Sequence, residues 1–266
     1  MNKEFQTVVT YMKAHWPSQV KPEWQVSVEE YAKLSQKAVE LWTKNATKNH
    51  ELVRIAGVSG SGKTTQLLPA VEAFFKSQGK QPILIAARCF VDFHPHLSEI
   101  EKTYGTENIR KMTDEFSTIM LFITFHELAS RGYDMILDVT LLDPQIEGIL
   151  VSLLRQFKYT SWLTMVAIAP EISQKFLGKR NWRHSKETEA EFIRATDLAL
   201  DFYRSAIPDM RFVIWNAWSA KPVYDGPIKD SREIWRKYST TKTYRTKLTE
   251  DDLREAKIRY LSKLPN

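Results

Sequence analysis

The sequence predicts an α/β protein with a doubly wound, mainly parallel five-stranded sheet and helical additions at both ends. Five apolar runs of strand length alternate with segments whose apolar residues recur at helical spacing, which is typical of a parallel sheet covered by helices. The chain has 266 residues, 43% of them hydrophobic, and this is enough for one such domain with a full core. The predicted strands lie within residues 53–56, 82–87, 133–138, 162–169 and 210–215.

Residues 1–50 precede this alternation and are expected to form an N-terminal helical extension. Ser27 and Glu30 fit a capping box, so a helix is expected to start there. We expect its apolar stripe to pack on the main domain, and a separate regulatory element is the alternative. The stripe comprises Val28, Tyr31, Leu34, Ala38 and Leu41.

The main domain is expected to span residues 51–220, and residues 221–266 are expected to form a basic helical tail. Helical periodicity predicts the helices that cover the sheet at residues 66–76, 114–131, 144–158 and 187–203. The tail begins with a Pro- and Gly-containing stretch, 221–227, that predicts a linker. A short helix near residues 230–238 and a final helix after residue 249 are expected to follow.

Charge, cysteine content and hydrophobic runs bear on whether this chain binds nucleic acid, contains disulfides, is secreted or spans a membrane. The net charge is +6, and residues 221–266 carry 12 Lys and Arg against 7 Asp and Glu, so the basic excess lies in the tail. Nucleic acid is a conceivable partner for this tail, but its mixed signs favour a solvated helix face. Cys89 is the only cysteine, which excludes a disulfide framework. We find no secretory signal and no run of about 18 apolar residues, and we expect a cytoplasmic protein with no membrane partner.

The turn after the first predicted strand carries the pattern Gly-x4-Gly-Lys-Thr, the P-loop or Walker A pattern. Its glycines allow tight turns, so that several backbone N–H groups and a helix N-terminus point at one phosphate. The pattern predicts an ATP site in a P-loop NTPase-type sheet, with Lys63 at the outer phosphates and the Thr64 hydroxyl on Mg²⁺. A glycine-rich turn that happens to hold a lysine is the alternative. The predicted phosphate-binding residues are Gly57, Ser59, Gly60, Ser61, Gly62, Lys63, Thr64 and Thr65.

Two further places indicate phosphoryl transfer. Asp138 ends the third predicted strand, where ligands of open α/β sheets bind, and its carboxylate can hold the Mg²⁺ shell or accept a proton from an attacking hydroxyl. A turn or helix-cap role is the alternative. Arg180 and Arg183 lie in a basic stretch between two predicted helices, where they can neutralise charge on the transferred phosphoryl group. A solvent-exposed charged loop is the alternative for them.

The segment His94-Pro95-His96 offers too few ligands for a metal site. A structural turn is the favoured interpretation of this segment, and contact with a substrate is the alternative.

Three stretches stand in a recognisable order: Phe90-x3-His94-Pro95-His96, a helix that ends in Ala-Ser-Arg-Gly-Tyr-Asp, and Asp138-Val-Thr-Leu. With the P-loop ahead of them, residues 51–214 resemble the zeta toxin family. The resemblance implies a P-loop kinase, the toxin of a bacterial toxin–antitoxin pair, that uses ATP to phosphorylate the 3′-hydroxyl of UDP-N-acetylglucosamine. It also implies an antitoxin or other regulatory protein as a partner.

The acceptor side departs from the family pattern. Arg88 stands where the family usually has its general base, and an arginine stays charged and cannot accept a proton. Asp138 stands where the family has Glu, and Leu142 where it has Arg, so Asp138 is the favoured base. By the resemblance, Arg180 and Arg183 fill the two lid positions. The residues expected to contact the substrate are Thr140, His94 and Arg88.

The sequence therefore favours an ATP-dependent kinase that phosphorylates a hydroxyl of a nucleotide-sugar or related nucleotide. A nucleotide-binding switch or interaction protein without catalysis is one alternative, indicated by Arg88 and Leu142. A nucleic-acid-end kinase that uses the basic tail is another.

Overall fold

The structure is a computed structural model, and it describes residues 3–15, 18–57, 61–139, 144–168, 189–216 and 222–240. The helices of these ranges are α1 (Lys3–His15), α2 (Val28–Trp42), α3 (Leu68–Ser77), α4 (Leu97–Tyr104), α5 (Ile109–Met112), α6 (Asp114–Ser130), α7 (Pro144–Gln156), α8 (Glu189–Ala206) and α9 (Ser231–Thr240). Helices α2, α3, α6, α7, α8 and α9 lie close to predicted positions, whereas α4 and α5 lie in a stretch for which no helix was predicted. No helix among the described residues is long and apolar enough to cross a membrane. The final helix predicted after residue 249 lies outside the described residues.

A mostly parallel six-stranded sheet confirms the α/β class, with one strand more than the five predicted. Its order is β2-β3-β1-β4-β5-β6. Strands β1 and β4 pair in parallel, as do β4 and β5, whereas β6 runs antiparallel to β5. The strands are β1 (Glu51–Ala56), β2 (Ile83–Ile85), β3 (Met135–Asp138), β4 (Thr160–Ala167), β5 (Arg211–Asn216) and β6 (Pro222–Pro227).

The prediction of a linker at residues 221–227 is wrong, because residues 222–227 form strand β6. This strand is at the edge of the sheet and has only exposed and half-buried positions, so it lacks the apolar run that marks the inner strands. Edge strands also tolerate proline. Arg211 of β5 donates from Nε and Nη2 to the Asp225 carboxylate of β6, at 2.8 and 2.6 Å, which fixes the pairing of the two strands.

Strand β1 lies in the interior of the sheet, with β3 on one side and β4 on the other. The chain moves from β1 toward β2 and β3 first, and only later adds β4, β5 and β6 on the opposite side. Such a reversal makes a crevice at the carboxyl ends of the strands, and ligands of open α/β sheets bind there. The predicted P-loop follows β1 directly, so the topology places it at this crevice.

Two compact units divide the chain, and the first comprises Met1–Asn49 and Ile83–Met135. Its centre is α6, which is buried on almost every side and is contacted by α1 and α2. The capping box of α2 is confirmed, since the Glu30 N–H donates to Ser27 Oγ at 3.2 Å and the Ser27 N–H donates to the Glu30 carboxylate at 2.9 Å. Helix α2 contacts α6 within this unit, and the prediction that residues 1–50 form an extension packed on a main domain of residues 51–220 stays a prediction.

The buried stripe of α2 differs from the predicted one at three positions. Leu41 is 54% exposed, while Ser35 and Val39 are buried. Ser35 is accepted in this interface because its hydroxyl lies 3.1 Å from the Thr124 hydroxyl of α6, where the two share a hydrogen bond. Helical periodicity by itself does not reveal such a pair, because the partner lies 89 residues away in sequence.

The second unit comprises His50–Pro82 and Ile136–Asn266. Its hydrophobic core lies between strands β1, β4 and β5 and the helices α7, α8 and α9. Trp235 of α9 and Tyr203 of α8 are the largest fully buried aromatic side chains of this core. The division of the chain into segments 1–50, 51–220 and 221–266 stays a prediction.

Candidate functional site

The P-loop begins with a glycine that no other residue can replace without strain. Gly57 follows the buried strand β1 and has φ +137°. A Cβ at this position would lie 3.2 Å from the backbone oxygen of Val166 in β4 and 3.0 Å from Ser61 Oγ. The loop therefore leaves the sheet in close contact with the neighbouring strand. Ser59 and Gly60 lie outside the described residues.

Gly62 ends the loop and starts the following helix. Its φ of +94° is in the left-handed region, which glycine enters at low cost. A π-helical turn at Lys63–Leu67 comes next, and α3 continues from Leu68. The N–H groups of Thr65 and Gln66 donate to the Gly62 carbonyl at 3.2 and 2.8 Å. The first turn of this helix therefore forms directly behind the loop, with the N-terminal end that attracts anions facing it.

The Lys63 side chain folds back across the loop. Its Nζ donates to the Gly57 carbonyl oxygen at 2.6 Å, so the ammonium group is held near the start of the P-loop rather than extended into solvent. Thr64 is exposed, and Ser61 is buried. The arrangement brings together a cation, a hydroxyl and a helix N-terminus, which is the set of groups that binds a nucleotide phosphate and Mg²⁺.

Asp138 is the last residue of β3, as predicted, and β3 is the neighbour of β1 in the sheet. The residue is 7% exposed. A carboxylate at a strand end beside the P-loop strand fits the donor set of Mg²⁺, which takes one or two protein oxygens and completes its shell with phosphate and water. The described residues contain no group of three His, Cys, Asp or Glu side chains that could hold a metal by themselves.

The predicted acceptor residues His94 and Arg88 belong to the first unit. His94 is 5% exposed, and its ring packs on Phe116 with centroids 4.6 Å apart. Its Nδ1 accepts the His96 N–H at 3.2 Å. Burial, with a smaller effect of His96, lowers the pKa of His94 to about 4, so the ring is neutral at pH 7. These contacts favour the structural-turn interpretation of His94.

Arg88 is half-buried in a 3₁₀-helix, Ala87–Phe93, that joins β2 to the His94 turn. Its role at a substrate stays a prediction. The predicted roles of Thr140, Arg180 and Arg183 also stay predictions, because these three residues lie outside the described ranges.

One buried cluster near the P-loop was not predicted. Arg54 of β1 is fully buried and forms an ion pair with Glu147 of α7, and Tyr203 of α8 donates its hydroxyl hydrogen to the same carboxylate. A charged residue inside an otherwise apolar strand run was the only signal for it in the sequence. The partners lie 93 and 149 residues further along the chain, and nothing in the sequence identifies them.

Known proteins are similar to this chain over the region that contains the P-loop. The Zeta toxin family profile matches residues 37–211, which include the P-loop, Arg88, His94 and Asp138. The chain is 28% identical over 130 residues to "Toxin PezT" of Streptococcus pneumoniae serotype 4 (strain ATCC BAA-334 / TIGR4), and this match covers 49% of each chain. The chain thus spans about half the length of this curated relative.

Solved structures share the fold. A structure of the PezAT chromosomal toxin–antitoxin system of the human pathogen Streptococcus pneumoniae superposes with a TM-score of 0.70 at 18% identity, covering 91% of this chain and 98% of that one. An AvrRxo1-ORF1:AvrRxo1-ORF2 complex with ATP has a TM-score of 0.50 at 14% identity, with coverage of 90% and 86%. Since the profile match extends over well more than half of the sequence, the chain belongs to the zeta toxin family.

Proposed function

We propose that this protein is an ATP-dependent kinase that transfers the γ-phosphoryl group to a hydroxyl of a nucleotide-sugar or a related nucleotide. The observation that carries the proposal is the P-loop geometry. Gly57 and Gly62 have positive φ, Lys63 lies across the loop, and a helix starts immediately behind it at the end of the central strand β1. Members of the family are P-loop kinases, and the donor side of this chain fits that chemistry.

The chain's own residues take distinct roles in the proposed reaction. Lys63 and the loop N–H groups bind the β- and γ-phosphates. Thr64 and Asp138 would hold Mg²⁺, which would supply neutralisation of the charge on the phosphate oxygens. The acceptor oxygen forms a bond to the γ-phosphorus as the bond to the β-phosphate oxygen breaks, and ADP leaves. In its alternative role to the Mg²⁺ shell, the Asp138 carboxylate accepts the proton of the acceptor hydroxyl. Arg180 and Arg183 stabilise charge on the transferred group, and Thr140 contacts the acceptor.

The relatives support a protein partner for this chain. The relative PezT is named as a toxin, and the PezAT structure is that of a toxin–antitoxin system. By this analogy we infer that an antitoxin, or a regulatory protein of similar role, binds this chain. ATP as the phosphoryl donor is supported by the fold neighbour that was solved with ATP.

Turnover measurements test the proposal. The purified chain is incubated with ATP, Mg²⁺ and a panel of acceptors that contains UDP-N-acetylglucosamine, other nucleotide-sugars and nucleotides, and ADP and phosphorylated acceptor are measured. We expect acceptor-dependent ADP formation that Lys63→Ala abolishes. Lys76→Ala on the exposed end of α3 is the matched control and leaves turnover unchanged. ADP formation that no acceptor stimulates, or that survives Lys63→Ala, would rule out this kinase.

One observation favours a second candidate, an ATP-binding switch without phosphoryl transfer. Arg88 stands at the family's general-base position, and an arginine cannot accept a proton at physiological pH. In this case the chain binds ATP with an affinity that depends on Lys63, and it forms neither ADP nor phosphorylated acceptor with any member of the panel. The same assay therefore separates the two candidates.

A further inference from the structure

An ion pair joins the P-loop strand to the helix that follows Asp138. Arg54 lies three residues before Gly57 in β1, and its Nη2 donates to Oε1 of Glu147. Glu147 lies in the first turn of α7, the helix that comes after β3 and Asp138. Both side chains are 1% exposed. One buried contact thus connects the two chain segments that enter the proposed donor site.

Tyr203 of α8 completes the cluster. Its hydroxyl donates to Oε2 of Glu147 at 2.6 Å, and the Arg54 guanidinium carbon lies 5.7 Å from the centroid of the Tyr203 ring. Burial raises the pKa of Tyr203 well above its usual value, so the phenol stays protonated and remains a donor to the carboxylate. The two Glu147 oxygens are therefore bound from two different elements, β1 and α8.

Stability alone does not account for this cluster. Nε and Nη1 of Arg54 are buried and have no hydrogen-bond partner among the described residues, so the desolvation of the guanidinium is only partly compensated. Apolar residues of similar volume usually replace a buried ion pair without loss of stability, whereas directional polar contacts fix one arrangement among several. The neighbours of Arg54 on the same face of β1, Leu52 and Ala56, are apolar and buried, so an apolar side chain would suit this face.

We propose that Arg54, Glu147 and Tyr203 form a positioning unit for the phosphate-binding site: the Glu147 carboxylate holds β1, and with it the start of the P-loop, in register with the first turn of α7. In this role the three residues act on the site through the backbone of Gly57 and of the first turn of α7, and not by direct contact with substrate. This inference rests on the proposed function, because it assigns a role at the same site.

A paired replacement separates positioning from stability. In Arg54→Met combined with Glu147→Leu, the ion pair is removed without leaving a lone buried charge, so the melting temperature is expected to match or exceed that of the parent chain. We expect the affinity for Mg·ATP, measured by calorimetry, to fall about tenfold. Arg211→Met combined with Asp225→Leu removes an exposed ion pair between β5 and β6 and is the matched control, with unchanged affinity. Unchanged affinity in the first pair, with a retained melting temperature, would overturn the proposal.

Two conservative variants keep the test decisive if the paired replacement does not fold. Glu147→Gln keeps one acceptor oxygen for Arg54 but removes the negative charge and places an NH₂ donor at the second position, so it is expected to lower the affinity about tenfold. Tyr203→Phe keeps the ion pair and removes only the phenol contact, so it is expected to lower the affinity about threefold. Equal affinities for these two variants would contradict the positioning role.

Amide hydrogen exchange distinguishes failure of this inference from failure of the proposed function. If the parent chain binds no ATP, the function is wrong, but the positioning unit still predicts faster exchange at residues 61–67 in the Tyr203→Phe variant than in the parent. Equal exchange there, at equal melting temperature, would refute the unit whatever the protein binds.

Discussion

Replacing Gly57 with alanine tests how closely the P-loop approaches the sheet. The φ of +137° at Gly57 lies in a region that is nearly confined to glycine, and forcing another residue into it costs about 1–3 kcal/mol. The added Cβ would also lie 3.2 Å from the Val166 carbonyl oxygen, which is part of the β4 backbone and cannot rotate away. We therefore expect Gly57→Ala to lower the free energy of unfolding by about 3 kcal/mol, which corresponds to roughly 8 °C in melting temperature for a chain of this size.

Gly79→Ala is the matched control for this prediction. Gly79 also has a positive φ, +68°, but a Cβ there meets nothing within 4 Å. Its replacement reports the backbone penalty alone, about 1 kcal/mol. Both variants can be compared by urea denaturation followed through tryptophan fluorescence, with Mg·ATP affinity measured on the folded proteins. The reasoning fails if Gly57→Ala costs no more than Gly79→Ala, or if it binds nucleotide as tightly as the parent.

Three further predictions concern other parts of the chain. The pKa of His94 is about 4 in the folded chain and near 6.5 in the unfolded chain, so the unfolded chain binds more protons between these pH values. The contribution of neutral His94 to the free energy of unfolding is therefore fully present above pH 6.5 and falls by about 3 kcal/mol as the pH drops to 4. Urea titrations at several pH values measure this change. On α2, Val39→Ser is expected to cost about 2 kcal/mol in the same assay and Leu41→Ser less than about 0.5 kcal/mol. Asp138→Asn is expected to lower kcat by about 10²–10⁴-fold, with a much smaller change in ATP affinity, in steady-state kinetics and calorimetry.

Each of these predictions has an outcome that contradicts it. A His94→Gln variant should lose most of the pH dependence between 6.5 and 4, and a variant with the parent's dependence would assign the effect to another group. Equal costs for the two serine substitutions would mean that α2 buries a different face. If Asp138→Asn retains the parent's kcat, another group accepts the proton.

The fold and the donor side of the site were predictable because local rules determine them. Apolar runs of strand length gave β1 to β5 close to their observed bounds, and the glycine spacing gave the P-loop, since glycine alone enters the required φ region cheaply. The capping box gave the start of α2. In each case the residues that determine the structure lie within a few positions of one another.

The parts that were not predicted depend on distant partners. Strand β6 is held by pairing with β5, including the contact between Asp225 and Arg211, and its own sequence suggests a loop. Ser35 takes a buried position because Thr124 meets it from another helix. The cluster around Arg54 depends on a carboxylate 93 residues away, and a single sequence contains no signal for such a contact.

The sheet order has a consequence for how the protein is made. Glu51 of β1 pairs with Thr160 of β4, so the strand that carries the P-loop gains this neighbour only after more than a hundred further residues have left the ribosome. Pairings between distant segments form slowly, because a long loop must close first. The glycine-rich turn of a growing chain is therefore made well before β4, the strand that Gly57 contacts. Phosphate binding should accordingly be acquired only after residues 160–167 have been made, and not as soon as the P-loop itself emerges.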